Sequence, residues 1–381
     1  MSAAGEGAAI GERLLQTFLD LVQIDSPSRE ESACARYCAG ALEAAGCTVR
    51  YDESQLRTGS DCGNLIAELP GDAPGTLVLS AHLDTVEPGR GVDPVISDGY
   101  VFSAGETVLG ADDKAGLAAA IESIRRVAES GASRPTIRCV FTVQEEVGLL
   151  GAKALDPSAV KGDICLVLDA DGSPGGIVIA APTHYTFKAR FEGRAAHAGV
   201  APERGISAIR IAADAVTRLP FGRLDEQTTA NVGTIAGGTA TNVVAGSAEL
   251  TGECRSLDAE RVEVVRSEMD AAMREAASEH GGSVEIEWTQ EYTGFLLEET
   301  APAVSIVSEA CRRIGLEPRT MRTGGGSDAN IIAALGVPTV ALSCGMQGVH
   351  SVSEQIALTD LEALTRLCVE VSRHLVLSAG D

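Results

Sequence analysis

Histidines and acidic residues follow several short apolar runs of the sequence, at the points where predicted strands end. They are His82 and Asp84 after 76–81, Glu145 and Glu146 after 137–144, Asp169 after 163–168, and His350 after 339–343. A further acid, Asp112, opens a predicted helix. Ligands bind at the carboxyl ends of strands in open α/β sheets, and imidazole and carboxylate groups bind divalent metals. The pattern therefore indicates metal-dependent hydrolysis.

Two of these signals have a simpler explanation when each is taken alone. His82 and Asp84 could form a structural pair, although a ligating histidine usually donates its other ring N–H to a carboxylate. Either Asp112 or Asp113 could merely cap the helix that follows, which is a common role for aspartate at a helix start. We therefore expect His82 to bind metal, with Asp84 orienting it, on the condition that the other candidate ligands lie close to His82 in the fold.

The adjacent acids Glu145 and Glu146 could form a solvated strand end. Neighbouring strand residues point to opposite faces, however, so one could bind a metal while the other addresses a water molecule. Only two of the six histidines, His82 and His350, follow predicted strands, and their coincidence with the acids favours one shared site.

The donor types favour a pair of zinc ions. Nitrogen and oxygen ligands without cysteine suit Zn²⁺, with Co²⁺ or Mn²⁺ as substitutes. If Asp112 bridges the ions, the expected ligands are His82, Asp112 and Asp169 for one and Asp112, Glu146 and His350 for the other. A bridging hydroxide would neutralise the remaining charge and act as the nucleophile. Metal coordination lowers the pKa of water to about 7, and Glu145 would serve as general base and then general acid.

The order of predicted elements indicates an α/β fold interrupted by an insertion. Helices at 11–23, 30–46 and 114–130 alternate with strands at 64–69, 76–81, 136–143 and 163–169, which predicts a mixed, largely parallel sheet. The next elements are strand 184–192, helix 204–219, strands 229–237 and 242–254, helix 258–280 and strand 283–291. This order is the ferredoxin-like βαββαβ unit. A helix at 300–314, a strand at 337–343 and a helix at 358–376 then resume the alternation of helices and strands seen before the insertion.

Length and charge add further expectations. A chain of 381 residues exceeds one typical core, so we predict a catalytic domain at 1–181 and 294–381 and a second domain at 182–293. The net charge of −24 disfavours nucleic acid and anionic membrane surfaces as partners. No signal peptide or long apolar run is present, and the ten cysteines are scattered, so we expect a cytoplasmic protein with free thiols.

With these residues assembled, the chain resembles the co-catalytic zinc metallopeptidase family that includes peptidase T, carboxypeptidase G and aminoacylase. The motifs that carry the resemblance are 80–86 around His82, 110–114 around Asp112, 144–148 around Glu145, 169–172 and 349–351. The resemblance implies the same ligands, Glu145 as catalytic carboxylate and Asp84 as the orienting one. It also implies that the insertion is a lid, which in many members forms a dimer face.

The resemblance extends to residues that would contact the substrate. His197 matches a position that helps to stabilise the oxyanion, and Asn242 and Arg255 match substrate-contacting positions. An arginine suits a substrate carboxylate because its guanidinium can bond both oxygens. Gly325 and Ser327 match the glycine-rich substrate loop, although Ser327 could simply cap a helix.

The expected activity is that of a tripeptide aminopeptidase acting on short peptides. The aspartate at position 169, where other members have glutamate, resembles the residue that peptidase T and its near relatives have at this position. The alternative is an amidohydrolase or deacylase that acts on N-acyl or N-carbamoyl amino acids with the same metals. Such an enzyme would differ only in its substrate pocket.

Overall fold

A computed structural model describes the backbone of residues 3–378 and the side chains of residues 11–375. The described chain divides into two units. Unit 2 consists of Ala180–Leu296 and Thr323–Gly326, and unit 1 of the described residues before, between and after these segments. Unit 1 is therefore built from separate stretches of the chain.

The α-helices within the described backbone are α1 Ala3–Val22, α2 Ser32–Ala44, α3 Gln55–Thr58, α4 Ala111–Ser130, α5 Leu150–Ala154, α6 Ala208–Arg218, α7 Ala259–Glu279, α8 Pro302–Arg313, α9 Asp328–Ala334 and α10 Leu358–Ser378. The strands as far as the end of the predicted insertion are β1 Thr48–Tyr51, β2 Leu65–Leu69, β3 Thr76–His82, β4 Pro94–Ser97, β5 Tyr100–Ser103, β6 Thr136–Thr142, β7 Ile164–Ala170, β8 Gly176–Ala181, β9 Thr183–Glu192, β10 Ala196–His197, β11 Gly222–Arg223, β12 Thr228–Gly237, β13 Val243–Val244, β14 Ser247–Ser256 and β15 Ser283–Tyr292. The remaining strands are β16 Phe295–Leu296, β17 Arg319–Arg322, β18 Thr339–Ser343, β19 Met346–Gln347 and β20 Gln355–Ala357.

Four parallel strands form the middle of the large sheet in unit 1. They lie in the order β6, β3, β7 and β18, whereas β1 and β2 on one side and β8 on the other run antiparallel to their neighbours. The predicted α/β fold with a mixed sheet is confirmed. Because parallel strands end at the same edge, the ends of β3, β6, β7 and β18 bring their following residues together.

Helices cover the central sheet, as the apolar character of its strands requires. Leu77 and Leu79 of β3 point into the main core together with Leu117 and Ile121 of α4, and all four are fully or almost fully buried. Val78 on the opposite face of β3 is equally inaccessible. A parallel strand that is buried on both faces reads as a continuous apolar run, which is how the sequence predicted it.

Unit 2 has the predicted ferredoxin-like order of elements. Its main elements follow as β9, α6, β12, β14, α7 and β15, and the antiparallel sheet has the order β11, β12, β14, β9, β15. Phe187 and Leu250 from the sheet pack with Ile211 of α6 and Val265 of α7 in a separate core. The role of this unit as a lid or dimer face, and the boundaries 182 and 293, stay predictions.

Two further observations concern the whole described chain. All ten cysteines lie among the described residues, each is a free thiol, and nine of them are buried. No helix in the described part of the chain is long and apolar enough to span a bilayer.

Candidate metal centre

The carboxylate of Asp112 lies between two histidine side chains in unit 1. Its Oδ1 is 3.0 Å from Nε2 of His82, and its Oδ2 is 3.1 Å from Nε2 of His350. His82 is the buried last residue of β3, whereas the His350 side chain is 53% exposed in the loop between β19 and β20. The carboxylate of Asp112 therefore contacts both histidines, and its predicted role as a ligand shared by two ions stays a prediction.

The other two predicted ligands reach the same place from different strands. Oδ1 of Asp169, near the end of β7, is 3.8 Å from Nε2 of His82. Oε2 of Glu146, after β6, is 3.1 Å from Nε2 of His350. The structure thus brings together all five residues predicted to bind metal.

The adjacent acid Asp113 has a different set of contacts from Asp112. Its carboxylate is completely buried and accepts the backbone N–H of Gly116 at 3.0 Å and that of His82 at 3.1 Å. The helix-capping alternative therefore describes Asp113, which ties the start of α4 to the end of β3. Its carboxylate also lies within 4.8 Å of donor atoms of His82 and Asp169, so it is a neighbour of the centre that the sequence did not assign.

Asp84 connects the histidine to the acidic turn after β6. The nearest partner of His82 Nδ1 is the Asp84 backbone carbonyl at 2.9 Å, and the Asp84 carboxylate lies at 3.3 Å. The same carboxylate accepts the backbone N–H groups of Glu145 and Glu146 and the hydroxyl of Ser28. Burial raises its pKa, but the contacts with His82 and these donors outweigh burial and leave the pKa below its ordinary value.

Excess negative charge surrounds this group of donors. The pKa of Glu145 is raised well above its ordinary value, first by burial and then by the charges of nearby Asp328, Glu146 and Asp112. Burial and the charges of Glu145 and Asp112 likewise raise the pKa of Asp169. Carboxylates held close together without water need a compensating cation.

The donor set fits divalent metal ions. Oε1 of Glu146 is buried and has no hydrogen-bond partner among the described residues, so one strong acceptor is left over for a cation. Two overlapping triads have donor atoms within 4.8 Å of one another: His82 with Asp113 and Asp169, and His82 with Asp112 and Glu146. Hard oxygen and imidazole nitrogen donors in this number suit zinc and similar ions.

Two buried acids that the sequence analysis did not assign support the centre. Glu354 accepts the backbone N–H groups of Gly110 at 2.7 Å and of Asp112 at 2.9 Å, and burial raises its pKa to about 7. Asp328 accepts the hydroxyl of Thr142 at the end of β6, and burial raises its pKa to about 6. The only sequence signal was their closeness to residues already singled out, since Glu354 comes four residues after His350 and Asp328 one residue after Ser327.

The predicted substrate residues of unit 2 form local contacts. His197 lies opposite Val243 in a two-residue strand pair, and the carbonyl of Asn242 accepts the backbone N–H of Ala198. Arg255 donates to both carboxylate oxygens of Glu253, at 2.8 and 3.2 Å. The Arg255 charge is thus already matched by an acid, which the sequence did not predict.

The glycine-rich segment has two structural roles. The backbone N–H of Gly325 donates to the Thr323 hydroxyl in unit 2. In unit 1, Ser327 caps α9, because its hydroxyl accepts the backbone N–H of Ala329 and Asn330 closes the capping box. Capping does not prevent substrate contact, so the predicted binding roles of Gly325 and Ser327 stay predictions.

A model of the family described as Peptidase family M20/M25/M40 matches residues 78–374. This range is more than half of the chain and includes every predicted metal ligand. The chain belongs to this family. The predicted resemblance to the family of peptidase T and the predicted enzyme class, a metallopeptidase, are confirmed.

Similar proteins agree with membership of the M20 family. Uncharacterized protein YqjE of Bacillus subtilis is 43% identical over 361 residues, which are 94% of this chain and 97% of that protein. The structure of aminopeptidase PepT from Bacillus cereus has a TM-score of 0.89 at 41% identity and covers 96% of this chain and 98% of its own. A tripeptidase structure from Staphylococcus aureus has a TM-score of 0.91 at 38% identity, with 96% and 99% covered.

Proposed function

We propose that the chain is a two-zinc aminopeptidase that removes the first residue from tripeptides. The observation that carries this proposal is the Asp112 carboxylate between His82 and His350, because it would provide the shared ligand that two neighbouring ions need. Two solved M20 relatives, an aminopeptidase and a tripeptidase, favour short peptides as the substrate class.

The proposed ligands divide into two overlapping sets. His82 and Asp169 would complete one site with Asp112, and Glu146 and His350 would complete the other. Support comes from the distances of 3.0 to 3.8 Å between the histidine nitrogens and these carboxylates. When bound, such ions lower the pKa of the attacking water and polarise the scissile carbonyl.

Glu145 is the proposed general base. A raised pKa makes its carboxylate a stronger base towards the attacking water, and the protonated form can return the proton to the leaving amine. Asp84 would hold Glu145 in place through the backbone and keep the tautomer of His82 fixed. The two acids would therefore have separate functions, one in proton transfer and one in orientation.

The substrate contacts belong to the same proposal. His197 would help to stabilise the oxyanion, Arg255 would bind the substrate carboxylate, and Asn242, Gly325 and Ser327 would line the binding site. The chain would be cytoplasmic and would form a homodimer through unit 2. The zinc ions, the mechanism and these contacts rest on the donor set and on the resemblance.

A matched substrate panel tests the proposal. Zinc-reconstituted protein is assayed with free tripeptides, the same tripeptides N-acetylated, free dipeptides, and N-acyl and N-carbamoyl amino acids, each with and without a chelator. Chelator-sensitive release of the first residue from free tripeptides alone is the expected result. Turnover restricted to the acylated amino acids would replace the proposal with the amidohydrolase alternative. Glu145→Gln protein serves as the control for contaminating peptidases.

A further inference from the structure

The turn that follows β6 is held by side chains from other parts of the chain. Four consecutive backbone N–H groups donate to side-chain oxygens: Val143 to Asn64 at 3.0 Å, Gln144 to Glu31 at 3.1 Å, Glu145 to Asp84 at 3.0 Å and Glu146 to Asp84 at 3.3 Å. These N–H groups lie beyond the end of the strand, where sheet pairing no longer supplies acceptors. The side chains therefore determine the path of the turn.

The backbone of this turn needs such support. Gln144 has φ of +52° and Leu149 has φ of +59°, a left-handed conformation that residues other than glycine rarely adopt. The turn closes on itself, since the N–H of Gly151 donates to the carbonyl of Val143 and that of Leu150 to Gln144. Unfavourable backbone conformations persist only where surrounding contacts fix them.

Glu31 is a fully buried acid directly before α2. One carboxylate oxygen accepts the N–H groups of Gln144 and Arg29, and the other accepts the hydroxyl of Ser60 at 2.5 Å. No ion pair of the described side chains involves Glu31, so its charge is met by these hydrogen bonds alone. Burying a carboxylate without a compensating cation destabilises the folded state. The presence of Glu31 therefore indicates that its hydrogen bonds have a role that an apolar side chain could not fill.

We propose that Glu31 is a positioning residue for the metal centre, because its hydrogen bond to Gln144 fixes the turn from which Glu145 and Glu146 project. The inference rests on the roles proposed above for those two acids. Asp84 holds the same turn but also contacts His82, so its substitution disturbs two parts of the centre at once. Glu31 contacts the turn without contacting a proposed ligand, so its substitution isolates the effect of turn position.

The test compares three variants. Glu31→Leu keeps a side chain of similar size but removes all three of its hydrogen bonds. Glu31→Gln can keep all three contacts, because the amide oxygen accepts the two backbone N–H groups and the amide N–H donates to the hydroxyl oxygen of Ser60. The matched control is Glu122→Leu, since Glu122 is equally buried in unit 1 but binds Arg13 and Arg126 instead of the turn. The readouts are kcat and KM on a tripeptide, the affinity for Co²⁺, and the visible spectrum of bound Co²⁺.

Glu31→Leu is expected to lower kcat and the Co²⁺ affinity by about 10- to 100-fold, the usual effect of removing a group that orients ligands, with little change in KM. It should also change the Co²⁺ spectrum, because Glu146 moves relative to His350. Glu31→Gln should stay close to the parent protein in all readouts, and Glu122→Leu should retain its kcat and spectrum.

Two results would overturn the proposal: Glu31→Leu matching Glu122→Leu in kcat and spectrum, or Glu31→Gln being as impaired as Glu31→Leu. If Glu31→Leu does not fold, Glu31→Asp replaces it. Aspartate is one methylene shorter, so a loss of kcat with a changed spectrum is expected, and parent-like values would refute the role. If the parent protein cleaves no tripeptide, the proposed function fails, whereas the Co²⁺ affinity and spectrum still decide the role of Glu31.

Discussion

The carboxylate of Asp84 accepts the backbone N–H of Glu145 at a distance of 3.0 Å. The proposed orienting acid and the proposed base are thus joined directly. Asp84→Asn should lower kcat by about 10- to 100-fold, because an amide cannot accept on both sides as the carboxylate does. Steady-state kinetics check this. Asp163→Asn is the control, since Asp163 accepts the backbone N–H of Thr76 at the start of β3, the end of that strand opposite to His82. Equal kcat values for the two variants would contradict the role of Asp84.

Glu145→Gln should retain both metal ions and lose about 100- to 10,000-fold in kcat, since it removes the base and leaves the proposed ligands unchanged. Glu146→Gln should lose metal as well, because Glu146 lies 3.1 Å from His350 and has a second oxygen without a partner. Metal analysis and kinetics of the two variants separate the roles. Substantial activity of Glu145→Gln would reject it as the base.

His350→Ala should lower the zinc content of the protein, because one proposed site loses its only histidine. The measurement is metal content after dialysis against a fixed concentration of free zinc. His280→Ala provides the control, since His280 pairs with Asp214 in unit 2 and is not a proposed ligand. If both variants bind as much zinc as the parent, His350 is not a ligand.

Arg255→Ala should raise KM by about 10-fold or more for tripeptides with a free carboxylate, because the proposed hydrogen-bonded charge pair between Arg255 and the substrate carboxylate is lost. Amidated tripeptides should show a smaller change. Arg218→Ala is a suitable control, since Arg218 and Arg255 side chains are both 27% exposed in unit 2 and both pair with acids. An equal rise in KM for free and amidated substrates would exclude the carboxylate contact.

Removal of the metals should destabilise the protein more at about pH 8 than at about pH 6. Burial raises the pKa of Asp328 to about 6 and of Glu354 to about 7, and contact with Asp112 and Glu146 raises that of His350 to about 10. Groups with raised pKa stabilise the fold at low pH and lose that contribution as the pH rises through the folded-state pKa. Bound cations offset the charge that develops.

Thermal unfolding of zinc-loaded and chelator-treated protein at both pH values checks this prediction. The difference in Tm between the two forms should increase with pH. The lowered pKa values of Asp84 and Asp112 act only in more acidic solution, so they do not alter the sign. A difference in Tm that is constant or decreases with pH would contradict the expectation.

The sequence predicted the elements that carry a strong apolar pattern. The strand predicted at 76–81 is Thr76–His82, and the helix predicted at 258–280 is Ala259–Glu279. It did not predict the four short strands β4, β5, β19 and β20, which form their own antiparallel sheet. Strands of two to four residues are too short to show a period of two, and their pairing depends on distant partners.

The candidate site was predicted where its residues follow strands and missed where they act through the backbone. Asp112 and Asp113 are adjacent, so spacing alone could not decide which faces the histidines and which caps the helix, and only the family resemblance favoured Asp112. Glu31 and Glu354 hold backbone N–H groups from distant segments. Such contacts need only an acceptor in the right place and leave no spacing in the sequence.

The split composition of unit 1 has a consequence for how the protein is made. The proposed ligands run from residue 82 to residue 350, and the segment that forms unit 2 is synthesised between Asp169 and His350. A ribosome-bound chain that has not reached His350 lacks one of the two histidines of the proposed centre, even when β18 has already been synthesised. If the proposed ligands bind metal together, tight metal capture would be a late step that follows translation of nearly the whole chain, and it would mark the molecules whose folding is complete.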